Sequence, residues 1–172
     1  NLGIRYGYIE QLDDELLRIS KESFDALSFN CYALSPDHEK MNHALEISGL
    51  PMIIGEYHFG TVDRGLAQSL WQVNSQKERG DAFRYYTENA FAHRGLIGTG
   101  WFRWIDQNIN GRTDGENYNC GFIDVTDRPY PYMVDAAIET AKSLYEIHSG
   151  TKTPFHQAPN AVGHSPIPDL WE

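Results

Sequence analysis

The chain has 172 residues, of which 41% are hydrophobic, enough for one hydrophobic core and one domain of ordinary size. Its formal net charge is −10, from 24 acidic and 14 basic residues. No run of Lys or Arg forms a stripe that could neutralise phosphates, so nucleic acid and anionic membrane surfaces are poor partners. No stretch approaches the roughly 18 apolar residues of a membrane-spanning helix. The two cysteines, Cys31 and Cys120, lack the number and spacing of a disulfide scaffold or a zinc site.

The first part of the chain predicts two strands, each followed by a helix. The first strand is LGIRYG, residues 2–7, and the helix after it carries acidic residues in its first turn, which suit the positive end of the helix dipole. FDALSFNCYAL, residues 24–34, is the second strand. Ser35 and Pro36 then predict the N-cap and first residue of the second helix, which we expect to end at Gly49.

The rest of the chain repeats this alternation with longer loops. PMIIGEYH, residues 51–58, predicts a third strand with a continuous apolar part, as expected where both faces are covered. After a loop of about sixteen residues, Ser75 predicts the N-cap of a third helix with a capping box. GLIGTGWFRWID, residues 95–106, is the fourth strand, and a second long loop leads to a helix over about 132–149. From residue 151 onward we expect an irregular tail.

Four strands that alternate with four helices predict an α/β fold with a parallel sheet and right-handed crossovers. The pattern alone leaves open a doubly wound sheet or half of a (β/α)₈ barrel, because in both folds ligands bind at the carboxyl ends of the strands. A flavodoxin-like binding domain would need a Gly-rich phosphate loop near the N-terminus, and LGIRYG does not supply one.

Polar and aromatic residues gather at the predicted strand ends. Side chains alternate along a strand, so Glu56 and His58 point the same way. Such residues suit a carbohydrate, because aromatic rings stack on the C–H faces of a sugar while polar groups hydrogen-bond its hydroxyls. A carboxylate would be the reactive member of the set. The residues at the strand ends are Asn30, Tyr32, Glu56, His58, Trp101, Trp104 and Asp106.

Two motifs carry a resemblance to a known family. GEYHFG follows an apolar strand, and the Trp-rich strand WFRWID precedes the stretch RTDGENYNCGFIDVTDRPY. With these motifs, residues 1 to about 148 resemble the C-terminal half, strands five to eight, of a clan A glycoside hydrolase (β/α)₈ barrel. The similarity is greatest to the exo-acting β-agarases of glycoside hydrolase family 50. The resemblance implies a retaining glycosidase acting on a galactan-type polysaccharide such as agarose, with no cofactor. If the full-length protein resembles agarases, its location is secreted or periplasmic.

The resemblance also implies roles for individual residues. Glu56 would be the nucleophile that forms a covalent glycosyl-enzyme. Tyr32 would hydrogen-bond this glutamate and keep it ionised and oriented. Trp101 or Trp104 would form a platform under the sugar. Apart from the resemblance, His58 could hydrogen-bond a substrate, tune Glu56, or lie behind the site as a hydrogen-bonded histidine that does neither. The remaining substrate contacts would be Asn30, Asp106, Gln107, Glu116 and Asn117.

A retaining glycosidase needs a second carboxyl group about 5 Å from the nucleophile. In clan A this acid/base glutamate follows an asparagine at the end of strand four, and the chain has no Asn-Glu at a predicted strand end. We therefore expect a partial barrel over residues 1–150, paired with an N-terminal half-barrel or with a second copy and inactive in isolation. The alternative is a non-catalytic carbohydrate-binding or structural half-barrel that lacks the general acid.

The acidic loop that carries Asp114, Glu116 and Asp124 could bind calcium through oxygen ligands. Its spacing matches no EF-hand, which favours a sugar-binding loop. His38 and His43 are five residues apart on a predicted helix and do not share a face as a metal-binding pair would. We therefore expect no metal site.

Overall fold

The computed structural model describes residue 1 and residues 3–164 of the chain. The strands in chain order are β1 (Arg5–Tyr6), β2 (Leu27–Phe29), β3 (Met52–Tyr57), β4 (Trp71–Gln72), β5 (Leu96–Trp101) and β6 (Val162–Gly163). The α-helices are α1 (Asp14–Ser23), α2 (His38–Ser48), α3 (Gln76–Phe91) and α4 (Pro131–His148), and a 3₁₀ turn covers Ile9–Gln11. None of the helices in the described chain is long and apolar enough to cross a membrane.

The main sheet has four strands in the order β1-β2-β3-β5, and every pair is parallel. Leu27 lies beside Met52, and Phe29 beside Ile54, so the carboxyl ends of neighbouring strands meet at one edge of the sheet. A helix follows each of the four strands along the chain. The predicted α/β class with a parallel sheet is confirmed.

The hydrophobic core lies between the sheet and the helices. Met52 and Ile54 of β3 are fully buried in it, and each such side chain contributes about 1.5–3 kcal/mol of burial free energy. Ile53, which alternates with them, is only partly buried, and Ile97 of β5 is 55% exposed. The prediction was that both faces of β3 are covered. Within the described chain, only the face that packs against the helices is fully covered.

The ends of the helices follow their capping side chains. Asp37, rather than Ser35, is the N-cap of α2, because its carboxylate accepts hydrogen bonds from the first free backbone N–H groups. The helix therefore begins two residues after Pro36, and the prediction that Pro36 is its first residue is wrong. Gly49 ends α2 in the left-handed conformation, with φ of 67°, as predicted. Ser75 caps α3, as predicted, by accepting from the backbone N–H of Glu78.

The short strands β4 and β6 pair antiparallel and form a second, two-stranded sheet. β4 lies in the loop after β3, and β6 lies in the C-terminal tail, where only irregular structure was expected. Two-residue strands carry no hydrophobic periodicity, so sequence patterns do not reveal them. The rest of the predicted tail, residues 165–172, and residue 2 of the predicted first strand lie outside the described residues.

Candidate functional site

Glu56 lies near the carboxyl end of β3, and its carboxylate contacts three side chains from two neighbouring segments. Tyr32 donates its hydroxyl to Oε2 at 2.8 Å, and Asn30 donates Nδ2 to the same oxygen at 3.2 Å. Arg5 places Nη2 2.8 Å from Oε1. The Glu56 side chain is 20% exposed. The carboxylate is thus oriented through both oxygens and still reaches solvent.

The parallel sheet explains why these side chains meet. Arg5 pairs with Ser28 in the β1–β2 register, and the Cys31 backbone N–H donates to the Glu56 carbonyl at 3.0 Å. Arg5 must reach across the end of β2 to contact β3. It passes directly over Gly55, where an added Cβ would lie 2.3 Å from Arg5 Cδ. A larger residue at position 55 would therefore displace the Arg5 side chain.

Tyr32 is a hydrogen-bond donor to Glu56 at neutral pH. Burial and the hydrogen bond to the Glu56 carboxylate raise the pKa of the Tyr32 hydroxyl far above its usual value. The phenol therefore keeps its proton and directs it at Glu56 Oε2. The pKa of the Tyr8 hydroxyl is raised as well, mainly by burial and then by the negative charges of Glu56 and Glu10.

His58 is buried beside Tyr32 and does not reach the surface. The Leu70 backbone N–H donates to its Nε2 at 3.1 Å, so Nδ1 carries the proton and donates to the Phe102 carbonyl at 3.1 Å. Burial lowers the pKa of the His58 imidazole to about 3. Its ring meets the edge of the Tyr32 ring, with centroids 5.0 Å apart. The structure therefore places His58 away from the surface and against Tyr32, the residue that donates to Glu56.

The two candidate tryptophans have different surroundings. Trp104 is 67% exposed and lies parallel to the Phe122 ring, with centroids 5.9 Å apart. Trp101 is half-buried, donates its indole N–H to the Cys120 carbonyl, and packs edge-on against Tyr57. Trp104 is therefore the ring that is open to a ligand, whereas Trp101 belongs to the core.

Asp106 lies away from the surface and binds the long loop before α4. It is 5% exposed, and its oxygens accept from Asn119 Nδ2, the Gly121 N–H and the Tyr130 hydroxyl. The fully buried Arg79 guanidinium lies 4.4 Å from the Tyr130 ring centroid. The oxygens of the Asp106 carboxylate therefore accept their hydrogen bonds from groups within the protein. The structure therefore does not bring Asp106 to the candidate site.

The other predicted contacts in this loop are also hydrogen-bonded within the protein. Gln107 is 1% exposed and donates Nε2 to Glu116 at 2.7 Å, while Glu116 pairs with Arg112 at 3.1 Å. Asn117 accepts from the Ala67 N–H at 3.1 Å and so joins the loop to the segment after β3. Glu116 stays partly exposed and its charge contributes to the raised pKa of Tyr32. Of these three residues, the charge of Glu116 alone reaches the Glu56–Tyr32 pair.

Sequence reasoning missed two arginines that the structure places in important positions. Arg5 is a cation in the first predicted strand, and the same strand-end argument that selected Glu56 could have found it. Arg79 is fully buried in α3 and binds the Asn119 and Gly121 carbonyls. Nothing in the local pattern distinguishes Arg79 from a surface residue of that helix. Among the described residues, no three His, Cys, Asp or Glu side chains converge as a metal site would require.

Comparison with known proteins finds β-agarases among the relatives of this chain. No family model matches the chain. Beta-agarase A of Vibrio sp. (strain JT0107) is 39% identical over 128 residues, which are 70% of this chain and 13% of that protein. The chain is similar to a segment of the β-agarases. Beta-agarase B of the same strain is 37% identical over 128 residues, with the same coverage of 70% and 13%.

Solved structures extend the likeness to the fold. A structure of an exo-β-agarase has 36% identity and a TM-score of 0.75, over 80% of this chain and 19% of that one. The structure of PfGH50B has 38% identity and a TM-score of 0.80, over 86% of this chain and 22% of that one. BpGH50, at 19% identity and a TM-score of 0.75, shares the fold. The resemblance to β-agarases predicted from the sequence is confirmed, and this β-agarase-like chain spans less than a quarter of the β-agarases and PfGH50B.

Proposed function

We propose that residues 1–148 are strands five to eight of a (β/α)₈ barrel in a retaining glycoside hydrolase that acts on a galactan-type polysaccharide such as agarose. Four consecutive parallel βα units support the half-barrel. The substrate class rests on the similarity to beta-agarase A and to the exo-β-agarase structure. In this numbering of barrel strands, β3 is the seventh and β5 the eighth.

The observation that carries the proposal is the Glu56 carboxylate and its three donors at the carboxyl end of β3. In the proposed mechanism, Glu56 attacks the anomeric carbon and the bond to the leaving-group oxygen breaks, which forms a covalent glycosyl-enzyme. Tyr32 and Asn30 hold Oε2, so the carboxylate keeps one orientation through the attack. Arg5 supplies the compensating positive charge beside Oε1.

The mechanism requires a second carboxyl group about 5 Å from the nucleophile, as acid and then as base. We propose that the other half of the barrel supplies it, since the chain has no Asn-Glu dipeptide at a strand end. The partly exposed sheet face at Ile53 and Ile97 is the surface that this half would cover. Trp104, with its ring open to solvent, is the proposed platform for the sugar.

A glycosyl donor with an activated leaving group tests Glu56 without the missing acid. The leaving group of the donor is fluoride or dinitrophenolate, which departs without being protonated. A 2-fluoro-galactosyl donor can therefore label the nucleophile even where no general acid is present. Peptide mass spectrometry should find the label on Glu56, and Glu56→Gln should abolish it. Glu139→Gln changes an exposed glutamate paired with Lys142 and should label like the parent chain. Labelling of a different carboxylate would contradict the assignment.

The alternative function is a carbohydrate-binding half-barrel without catalysis. The exposed Trp104 ring favours it, because a sugar platform needs no general acid. Calorimetry with galactan oligosaccharides separates the two functions. Binding that depends on Trp104, together with no labelling of Glu56 in the chain or in a complex with the other half-barrel, would support the alternative.

A further inference from the structure

The segment after α4 returns along α3. We call residues 153–164 the strap. Its Phe155 lies under the guanidinium of Arg84, with the cation 4.5 Å from the ring centroid. The Phe155 N–H donates to Glu88 at 2.8 Å, and its carbonyl accepts from Asn89 at 3.1 Å. A short stretch of irregular backbone is thus held to one helix by three contacts.

The far end of the strap contacts the loop that follows β3. Val162 and Gly163, which form β6, pair with β4 in that loop. The His164 backbone N–H donates to the Leu70 carbonyl at 2.7 Å. On its other edge β4 pairs with Gly60, whose N–H donates to the Trp71 carbonyl and whose carbonyl accepts from the Val73 N–H, both at 2.9 Å. Residues 70–72 are therefore held between Gly60 and the strap, and it is the strap that bonds the Leu70 carbonyl.

Leu70 connects this loop to the candidate site. Its N–H donates to His58 Nε2, and the His58 ring packs edge-on against Tyr32, which donates to Glu56. Loss of the Leu70 bond would leave a buried imidazole nitrogen without a partner, at a cost of about 1–3 kcal/mol. The imidazole would relieve that cost by turning, and Tyr32 would lose the surface against which it packs.

We propose that the strap is a positioning element, which holds the Tyr32–Glu56 pair through Leu70 and His58. The same imidazole donates to the Phe102 carbonyl and so holds the end of β5, two residues before Trp104. One buried histidine thereby joins the strap to both the proposed nucleophile and the proposed sugar platform. The catalytic consequence rests on the proposed function; the hold on His58 does not.

A matched pair of substitutions at His164 tests the hold on His58. His164→Pro removes the N–H that donates to Leu70, whereas His164→Ala keeps the N–H and removes only the side chain. Amide exchange of Leu70 and the ¹⁵N shifts of the His58 ring are measured by NMR on the full chain. We expect exchange at Leu70 to be at least about tenfold faster in the proline variant and unchanged in the alanine variant. Unchanged exchange and unchanged His58 shifts in both variants would overturn the proposal.

Labelling of Glu56 by the 2-fluoro-galactosyl donor tests the effect on the nucleophile. The proline variant should be labelled about tenfold more slowly if Tyr32 loses its orientation. Altered His58 shifts with labelling at the parent rate would overturn the positioning of Glu56. If the parent chain is not labelled at Glu56, the proposed function fails instead, and the NMR comparison alone decides whether the strap holds His58.

A second variant guards against a proline variant that does not fold. Phe155→Ala removes the ring under Arg84 and leaves the β4–β6 pairing in place. It should speed exchange at Leu70 in the same direction by a smaller factor. Amide exchange in α4 serves as the control for global stability in every variant. Equal acceleration in α4 and at Leu70 would mean general destabilisation and would overturn the strap as a positioning element.

Discussion

Arg5 and Glu56 form an ion pair at 2.8 Å that crosses the end of the intervening strand β2. Glu56 is mostly buried, but Arg5 is half-exposed, so water screens the attraction between the two charges. For that reason its contribution to the free energy of unfolding should stay below about 1 kcal/mol. Its effect on the orientation of the carboxylate can still be large, because Arg5 is the partner of Oε1.

We expect Arg5→Met to slow labelling of Glu56 by the 2-fluoro-galactosyl donor about tenfold, with the unfolding free energy changed by less than about 1 kcal/mol. Labelling rates by mass spectrometry and urea unfolding measure the two effects. Arg18→Met removes an exposed ion pair with Asp14 on α1 and is the matched control. A parent labelling rate in Arg5→Met would exclude Arg5 from the site.

Tyr32→Phe removes the hydroxyl that donates to Glu56 Oε2. Labelling of Glu56 should slow by about ten- to a hundredfold, and stability should fall by about 1 kcal/mol for the lost hydrogen bond. Tyr6→Phe loses a comparable bond to Ser20 on the helix side of the sheet. It should cost similar stability while labelling continues at the parent rate. Equal labelling in the two variants would show that Tyr32 does not orient Glu56.

Trp104→Ala should weaken sugar binding, whereas Trp101→Ala should lower the stability of the fold. Because Trp104 is 67% exposed, its loss should weaken binding of galactan oligosaccharides about tenfold or more and leave stability nearly unchanged. Trp101 packs against Tyr57, and its loss should destabilise the fold by about 3–5 kcal/mol. Calorimetry and urea unfolding distinguish these effects. Full sugar affinity in Trp104→Ala would remove the platform from the proposal.

Asp106→Asn should destabilise the fold by about 2–4 kcal/mol. The buried carboxylate accepts hydrogen bonds from several donors, and its negative charge stabilises the protonated form of the buried Arg79 guanidinium. Urea unfolding measures the change. Asp124→Asn, on a partly exposed stretch of the same loop, should cost less. Weaker sugar binding at unchanged stability would instead restore the role of Asp106 as a substrate contact.

The neutral His58 predicts a dependence of stability on pH. Its pKa in the folded chain is lowered to about 3, so between pH 6.5 and pH 3 the unfolded chain binds a proton that the folded chain does not. This contribution is fully present above pH 6.5 and falls by at most about 1.4 kcal/mol per pH unit below it. His58→Gln should therefore show a shallower loss of stability between pH 6.5 and pH 4 in urea unfolding. Parallel pH curves for the two chains would contradict a neutral buried His58.

Much of the fold follows from local pattern. Apolar runs before Asn30 and Glu56 predict strands, and their alternation with helices predicts a parallel sheet whose ends bring these two residues together. Asp106 and Gln107 were expected to contact a substrate. They are buried because the loop before α4 folds over Arg79, and that packing depends on residues distant in sequence. The choice between Trp101 and Trp104 was open for a related reason, since β5 ends at Trp101 and the alternation of side chains ends there with it.

The position of β1 has a thermodynamic consequence for Glu56. β1 is an outer strand of two residues, and only β2 pairs with it among the described residues. Arg5 is therefore anchored to the least supported strand of the sheet. Any chain that pairs with the outer edge of β1 would restrict Arg5 and, through it, Glu56. By linkage, whatever binds the Glu56 carboxylate and competes for Arg5 would change the affinity of that edge for its partner by the same factor.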